Sequence, residues 1–140
     1  MVERVQPTTQ DIIKVAEFRS ALRHFLRRSE KVARQSGLTP QRYTLLMMIK
    51  GAPDGAEQST VTELSERMQV AQSTVTELVR RAESAGLIER EQSQRDARVA
   101  HLRLTTEGER RLMLSFTELE TERAQLREAF ANFDGGVTGR

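Results

Sequence analysis

The chain of 140 residues contains no cysteine and no tryptophan, and it has only three prolines. Without cysteine it can form no disulfide, no thiolate metal site and no thiol-based redox sensor. No apolar run approaches the roughly 20 residues that span a bilayer, so we expect no membrane partner. The stretch from Met1 to Thr9 lacks the basic and apolar segments of a secretory signal, which predicts a cytoplasmic protein.

Residues that carry chemistry are also scarce. The two histidines, His24 and His101, lie in solvated segments and are better interpreted as surface residues than as metal ligands, which usually come in larger sets. The sequence has no glycine-rich phosphate loop, no nucleophile elbow and no dense cluster of acids and bases. We therefore expect no catalytic residue, no metal and no cofactor, and an enzyme is the weakest interpretation.

Charge is nearly balanced, at a net +2, but it is unevenly distributed. Residues 1–50 carry ten Lys or Arg against four acids, whereas residues 59–111 carry nine arginines and nine acids. Any attraction of the second segment for an anionic partner must therefore depend on where particular arginines point. Arginine, with 19 of the 22 basic residues, suits phosphate and base-edge contacts, although genome base composition explains that bias equally well.

The first third of the chain predicts two helices. Apolar residues recur at helical spacing from Asp11 to Gln35, and Gly37 ends this long amphipathic helix. Thr39 and Pro40 are a typical N-cap and first residue of a second helix. Its buried stripe comprises Leu45, Leu46 and Ile49, with Tyr43 and Met47 at one edge. Residues 51–59 are turn-forming and predict a loop.

Two closely spaced helices and a hairpin follow. Thr60 and Glu63 fit a capping box that begins a short helix, and a second helix is predicted from Gln72 to Ala85, with Gly86 ending it. Two strands are predicted at 87–91 and 99–104, and the polar connection between them should project.

The end of the chain predicts one further helix. Thr106 and Glu109 fit a second capping box, and apolar residues continue at heptad-like spacing as far as Phe130. The segment 134–139, with three glycines, should fray.

A short capped helix, a tight turn and a half-polar helix are typical of a helix-turn-helix, whose second helix enters the major groove of DNA. Hydroxyl, amide, carboxylate and guanidinium groups can all bond base edges or phosphates. The polar residues that would do so are Gln72, Ser73, Thr74, Thr76, Glu77 and Arg80. An ordinary solvated helix face is the alternative.

The hairpin favours DNA binding, because its tip carries Arg95 and Arg98 beside the second helix of this motif. Such a wing can reach the DNA backbone or the negative minor groove. A hairpin with a purely structural role is the alternative, since arginine is common throughout this chain.

Several segments in register resemble the multiple-antibiotic-resistance regulator (MarR) family of winged-helix proteins, over about residues 11–131. The segments are Gly37-Leu38-Thr39 with Gln41 and Leu45-Leu46, Thr62-Glu63-Leu64, Ser73-Thr74-Val75-Thr76, Ala85-Gly86-Leu87-Ile88-Glu89-Arg90, Arg95-Asp96-Ala97-Arg98, and Leu102-Arg103-Leu104-Thr105 with Gly108.

The resemblance implies a mainly α fold with a small β-hairpin, in a single domain over residues 1–140. A winged helix-turn-helix head at 39–105 would be flanked by dimerisation helices at 11–36 and 106–131. It further implies a homodimer that binds a near-palindromic duplex operator and regulates transcription, as a repressor or an activator, releasing DNA when a small aromatic effector binds. Two inverted half-sites about 34 Å apart would follow from the dimer symmetry.

The resemblance also implies roles for individual residues. Arg98 would enter the minor groove, Asp96 would brace the wing through a salt bridge, and Ser73, Thr74 and Thr76 would lie at the major groove. The candidate effector pocket would be lined by His24, Tyr43, Met47 and Phe116, although Met and Phe at helical spacing are more often simple core.

The sequence departs from the family pattern at four points. Ala71 stands where a polar N-cap is expected, Glu77 brings a negative charge that either reads a cytosine or lowers affinity, and His101 replaces a common basic residue. The last helix leaves little room for the terminal helix that usually completes the dimer interface.

Two alternatives therefore stay open. The apolar stripes of the terminal helices can pack on each other within one chain instead of on a second copy. A winged-helix protein-interaction module without specific DNA binding is the competing function, because the charge of the head is balanced.

Overall fold

A computed structural model describes residues 5–138, with side chains described as far as Phe133. The first residues of the N-terminal stretch considered above, and Gly139 in the predicted frayed end, lie outside this range. The fold is mainly helical with one antiparallel hairpin, as the sequence predicts. The elements are α1 Thr9–Gln35, α2 Pro40–Lys50, α3 Val61–Met68, α4 Gln72–Ser84, β1 Ile88–Gln92, β2 Ala100–Leu104, α5 Thr106–Glu118 and α6 Glu120–Thr138. In the part of the chain so described, no helix is both long and apolar enough to span a membrane.

Helix α1 begins two residues earlier than the apolar pattern predicts, because Thr8 and Asp11 form a capping box. The Thr8 amide donates to Asp11 Oδ2 at 2.8 Å, and the Asp11 amide donates to Thr8 Oγ1 at 3.2 Å. These hydrogen bonds lower the pKa of Asp11. At the other end Gly37, with φ of +78°, adopts the left-handed conformation that closes a helix.

The core of the head is built mainly from α2, α3, α4 and β2. Leu45, Leu46 and Ile49 of α2 are fully buried, as their spacing predicts, against Leu64 of α3 and Leu102 of β2. Burying such a side chain contributes about 1.5–3 kcal/mol. The three short helices are therefore held at fixed positions by one continuous core.

The hairpin has a regular register from the pair Ile88–Leu104 to the pair Gln92–Ala100. Leu102 and Leu104, on one face of β2, are buried in the core. The loop predicted at 51–59 ends in a feature that its composition does not indicate. Ser59 exchanges two backbone hydrogen bonds with Leu102, of 3.0 and 2.8 Å, and so forms an isolated antiparallel bridge to the outer edge of β2.

The root of the hairpin is fastened to the start of α5. The Thr105 amide donates to the Leu87 carbonyl at 3.0 Å, and Thr105 Oγ1 donates to the Gly86 carbonyl at 2.6 Å. The same Oγ1 caps α5 by accepting from the Gly108 amide at 3.0 Å. The predicted capping box at Thr106 is therefore wrong by one residue, since Thr105 is the N-cap.

The single C-terminal helix predicted from the sequence is two helices. Helix α5 ends at Glu118, Leu119 leaves the helical path, and α6 continues to Thr138. The side chain of Leu119 is buried, which fixes the bend in the core. A second C-terminal helix, for which the sequence was expected to leave little room, is thus present as α6, and the backbone predicted to fray from residue 134 is helical to Thr138.

Helices α1 and α6 pack together within the chain. Phe18 contacts Phe130 and Phe133, with ring centroids 5.9 and 5.2 Å apart, and Arg28 Nε lies 3.1 Å from Glu122 Oε2. This packing leaves apolar side chains uncovered on α1 and α5: Ile12, Val15, Leu26, Met113 and Leu114. Packing within one chain therefore accounts for only part of the apolar stripes.

Candidate DNA-binding surface and ligand cavity

The angle between α3 and α4 is fixed by a tight turn. Gln69, with φ of +56°, takes the left-handed conformation at the end of α3. Ser65 then closes the turn, because its carbonyl accepts from the Val70 amide at 3.3 Å and its Oγ donates to the Val70 carbonyl at 2.7 Å. With Val75 and Val79 buried, α4 can present only its opposite face to solvent.

That opposite face carries the predicted base-reading residues: Gln72, Ser73, Thr74, Thr76 and Arg80, all exposed, and Glu77, which is half-buried. Ala71 is the N-cap and offers no side-chain hydrogen bond, so the first turn of α4 keeps free amides. Gln72 Nε2 lies 3.4 Å from Thr62 Oγ1 and so bridges the starts of α3 and α4.

Glu77 is engaged by two arginines of its own helix. Arg80 contacts both carboxylate oxygens, with Nε 3.0 Å from Oε2 and Nη2 2.5 Å from Oε1, while Arg81 Nε lies 3.1 Å from Oε1. These contacts, chiefly the Arg80 hydrogen bonds, lower the pKa of Glu77 to about 2. The Glu77 carboxylate is therefore ionised at neutral pH.

The tip of the hairpin is ordered by short polar contacts. Asp96 Oδ1 accepts from the backbone amide of Arg98 at 3.0 Å and from its Nε at 3.1 Å, and these bonds lower the pKa of Asp96. Ser93 Oγ accepts from the amides of Arg95 and Asp96. The Arg98 side chain nevertheless remains 90% exposed, so it is oriented but accessible. We refer to β1, β2 and this tip as the wing.

A cleft of about 450 Å³ separates the helix-turn-helix from the wing. Thr62 and Gln72 line one side, and Arg90 and Arg98 line the other. The structure thus brings the N-terminal end of α4 and the wing to one surface.

Sequence reasoning did not single out Arg90. This residue pairs with Glu83 of α4 through two bonds of 2.9 and 3.0 Å, and so ties the wing to the helix beside it. The sequence offered one signal, because Arg90 lies within the first predicted strand. In the structure it pairs with Leu102, in the middle of β2.

Most arginines from the helix-turn-helix to the start of α5 are already engaged. Of the nine between residues 59 and 111, eight donate from their guanidinium groups to acceptors among the described residues, and Arg95 does not. Arg67 illustrates a structural role, since it donates to the carbonyls of Met48 and Gly51 at the end of α2. His101 lies in β2 opposite Glu91.

A second cavity, of about 160 Å³, lies between α1, α2 and the α5–α6 bend. Its lining includes three of the four predicted pocket residues, Tyr43, Met47 and Phe116. Arg123 lies over the Phe116 ring at 3.7 Å from the ring centroid. Burial raises the pKa of Tyr43, so its phenol stays protonated at neutral pH.

The fourth predicted pocket residue, His24, does not line this cavity. It is exposed and lines a separate depression with Arg28 and Glu122, because the neighbouring Phe25 occupies the inward position on α1. Among the side chains described, those of residues 5–133, no group of three or more His or acidic residues is arranged to hold a metal ion.

A helix-turn-helix followed by a two-stranded wing, with long helices on either side, defines a winged-helix protein. Residues 36–99 match the sequence model of the MarR family. This segment is similar to that family, and the chain as a whole has the fold of solved MarR-family transcription regulators.

Solved structures with the same fold differ widely from this chain in sequence. One MarR family transcription regulator is 22% identical, with a TM-score of 0.72, covering 92% of this chain and 83% of its own. The apo form of Escherichia coli MarR is 18% identical, with a TM-score of 0.67 and coverages of 90% and 86%. FabT of Streptococcus pneumoniae, solved in complex with DNA, is 26% identical, with a TM-score of 0.60 and coverages of 72% and 71%. A search of curated proteins found no match.

Proposed function

We propose that this chain is a sequence-specific DNA-binding transcription regulator that reads a duplex with α4 and the wing. One observation carries the proposal: Gln72, at the start of α4, and Arg98, in the wing, line the same cleft. A groove-bound helix and a wing can contact one duplex together only if they share a surface. The FabT structure with DNA shows that a related chain binds DNA and is consistent with this proposal.

The exposed side chains suit base and backbone contacts. Gln72 can bond adenine through two hydrogen bonds, and Ser73, Thr74 and Thr76 can bond bases or phosphates. In this proposal Arg98 enters the minor groove, Asp96 orients it, and Arg95 contacts the backbone. Asp96 already holds the Arg98 guanidinium, so the wing is organised before DNA arrives.

We propose that the regulator is a homodimer. Ile12 on α1 is 63% exposed, and Leu26 and Met113 are each 50% exposed, which is costly for an isolated chain in water. Pairing of α1, α5 and α6 with a second copy would cover these side chains. A two-fold dimer would present two α4 helices to inverted half-sites about one duplex turn apart.

We further propose that the regulator is a repressor and that a small aromatic compound in the second cavity releases it from DNA. The cavity is near the size that holds one benzene ring, about 150 Å³. Tyr43, Met47 and Phe116 offer apolar and aromatic contacts, and Arg123 at its edge can pair with an anionic substituent. The cavity lies between the proposed dimer helices and α2 of the head, so a ligand there can alter their relative position.

Selection from a random duplex pool tests the function directly. We expect the protein to enrich a motif with two inverted halves, which would support both base reading and dimer symmetry. Retention of duplexes without any motif would favour the competing winged-helix interaction module, an alternative that the engagement of eight of the nine arginines at 59–111 supports.

The wing is tested by replacing Arg98 with Ala, using Arg110→Ala as the control. Both arginines are exposed and paired with a nearby acid, but Arg110 lies on α5, outside the proposed surface. Loss of one groove contact should weaken operator binding about tenfold for Arg98→Ala. Equal operator affinity for both variants would refute the role of the wing.

A further inference from the structure

Glu77 occupies the middle of the exposed face of α4. Ser73 lies one turn before it and Arg80 one turn after it, because residues three and four apart share a helix face. A carboxylate at this place repels DNA phosphates, unless it meets the amino group of a cytosine. Its observed partners distinguish these two roles.

Both oxygens of the Glu77 carboxylate already accept hydrogen bonds, from Arg80 and Arg81. To accept from a cytosine, the carboxylate would have to give up at least one of these charged donors. The side chain of Glu77 is 44% exposed, whereas those of Arg80 and Arg81 are 63% and 60% exposed. The two arginines are therefore more accessible to a DNA phosphate than the carboxylate that they hold.

Together these three side chains carry one net positive charge instead of two. A DNA phosphate that approaches Arg80 or Arg81 must compete with a carboxylate that already occupies the guanidinium donors. Exposed ion pairs are individually weak, so a phosphate can displace the carboxylate from the arginine. The contact then contributes less binding free energy than a contact with a free arginine would. This competition lowers the affinity for duplexes of arbitrary sequence most, because phosphate contacts supply nearly all of that affinity.

We infer that Glu77 is an intramolecular competitor of DNA phosphate for Arg80 and Arg81, and that it raises specificity by weakening the binding of arbitrary sequences. The inference rests on the proposed DNA-binding function. Under it, Glu77 contributes to discrimination without contacting a base.

The test compares Glu77→Gln with Glu66→Gln. Glu66 is an exposed acid on α3 that forms no ion pair among the described residues, so its replacement makes the same charge change without freeing an arginine. Binding to a labelled duplex of arbitrary sequence, about 24 base pairs long, is measured by fluorescence anisotropy between about 50 and 200 mM salt. Elution from heparin gives the same comparison without a duplex.

For Glu77→Gln we expect affinity for the arbitrary duplex to rise about fivefold at low salt. The slope of log affinity against log salt should steepen by about one to two, because two arginines become available to phosphates. Glu66→Gln should change affinity less than about twofold. The effect of Glu77→Gln should disappear when Arg80 and Arg81 are both replaced by Gln, which separates competition for arginines from a simple long-range charge effect.

Three results would overturn the inference: equal affinity of Glu77→Gln and wild type, an equal gain from Glu66→Gln, or a gain that persists without the two arginines. A fourth result would also overturn the inference: Glu77→Gln selects a different motif from a random pool but binds an arbitrary duplex no more tightly than wild type. That result would assign Glu77 to base reading. Failure of the proposed function is distinct, because it appears as the absence of any enriched motif for the wild-type protein.

Discussion

Gly108 stands in the first turn of α5, where the helix passes closest to the root of the wing. A Cβ built on Gly108 would lie 2.1 Å from the Leu87 carbonyl oxygen and 3.1 Å from its carbon. That oxygen cannot move away freely, because it accepts the Thr105 amide at 3.0 Å. We therefore predict that Gly108→Ala forces α5 and the wing root apart.

The magnitude follows from two opposing effects. A carbon and a carbonyl oxygen normally approach to about 3.3 Å, so roughly 1.2 Å of separation must be created. Overpacking of this kind costs about 1–3 kcal/mol, and a backbone obstacle places it near the upper end. Replacing glycine by alanine within a helix otherwise raises the free energy of unfolding by about 0.5–1 kcal/mol. The net loss should be about 2 kcal/mol, or about 6 °C in Tm for a chain of this size.

Urea and thermal unfolding, followed by circular dichroism at one fixed protein concentration, measure this loss. Gly86→Ala is the matched control, since Gly86 has φ of +76° but no atom within 4 Å of a built Cβ. It should lose only about 1 kcal/mol, the cost of a left-handed alanine. A Gly108→Ala variant as stable as wild type, or more stable than Gly86→Ala, would refute the close-approach argument.

Three further predictions concern stability. Ala71→Ser should supply the missing N-cap of α4 and raise the free energy of unfolding by about 1 kcal/mol, and an unchanged urea midpoint would contradict this. Ser115 Oγ is buried without a hydrogen-bond partner among the described residues, so Ser115→Ala should stabilise the protein by about 1 kcal/mol, whereas a lower Tm would show that the hydroxyl is satisfied. Glu107, whose pKa is lowered to about 2 mainly by hydrogen bonds from Arg110 and then Arg111, should stabilise the folded state fully above about pH 4.5 and lose that contribution as pH falls towards 2. The difference in urea midpoint between wild type and Glu107→Gln should follow this course, and a difference that grew on acidification would have the wrong sign.

Local sequence signals predicted the head well. Gly86 and the Thr60–Glu63 capping box placed α3 and α4 to within a residue, because caps and left-handed glycines act over a few residues. The bend at Leu119 escaped prediction. No glycine or proline marks it, and the apolar spacing runs on from α5 into α6, so only burial of Leu119 in the three-dimensional core reveals the break.

The candidate site shows the same division between local and non-local information. The exposed face of α4 follows from helical periodicity, and the Asp96–Arg98 contact joins residues two apart in sequence. The pairing of Arg90 with Glu83 depends on how the wing lies against α4. The separation of His24 from the other three pocket candidates also depends on helix phase, because neighbouring positions on a helix face in different directions.

The wing is held at its root and along its strands, but not at its tip. Thr105 and the Leu87 carbonyl hold the root and Arg90 pairs with Glu83 of α4, whereas the hydrogen bonds of the tip, among the described residues, join it only to itself and to adjacent strand residues. Insertions or deletions at the tip would therefore leave the core and the root bonds intact, whereas the same changes at the root would separate α5 from the head. Variants of this chain can thus differ in the length of the tip at little cost in stability, and under the proposed function such a change would alter the reach of the wing along a duplex.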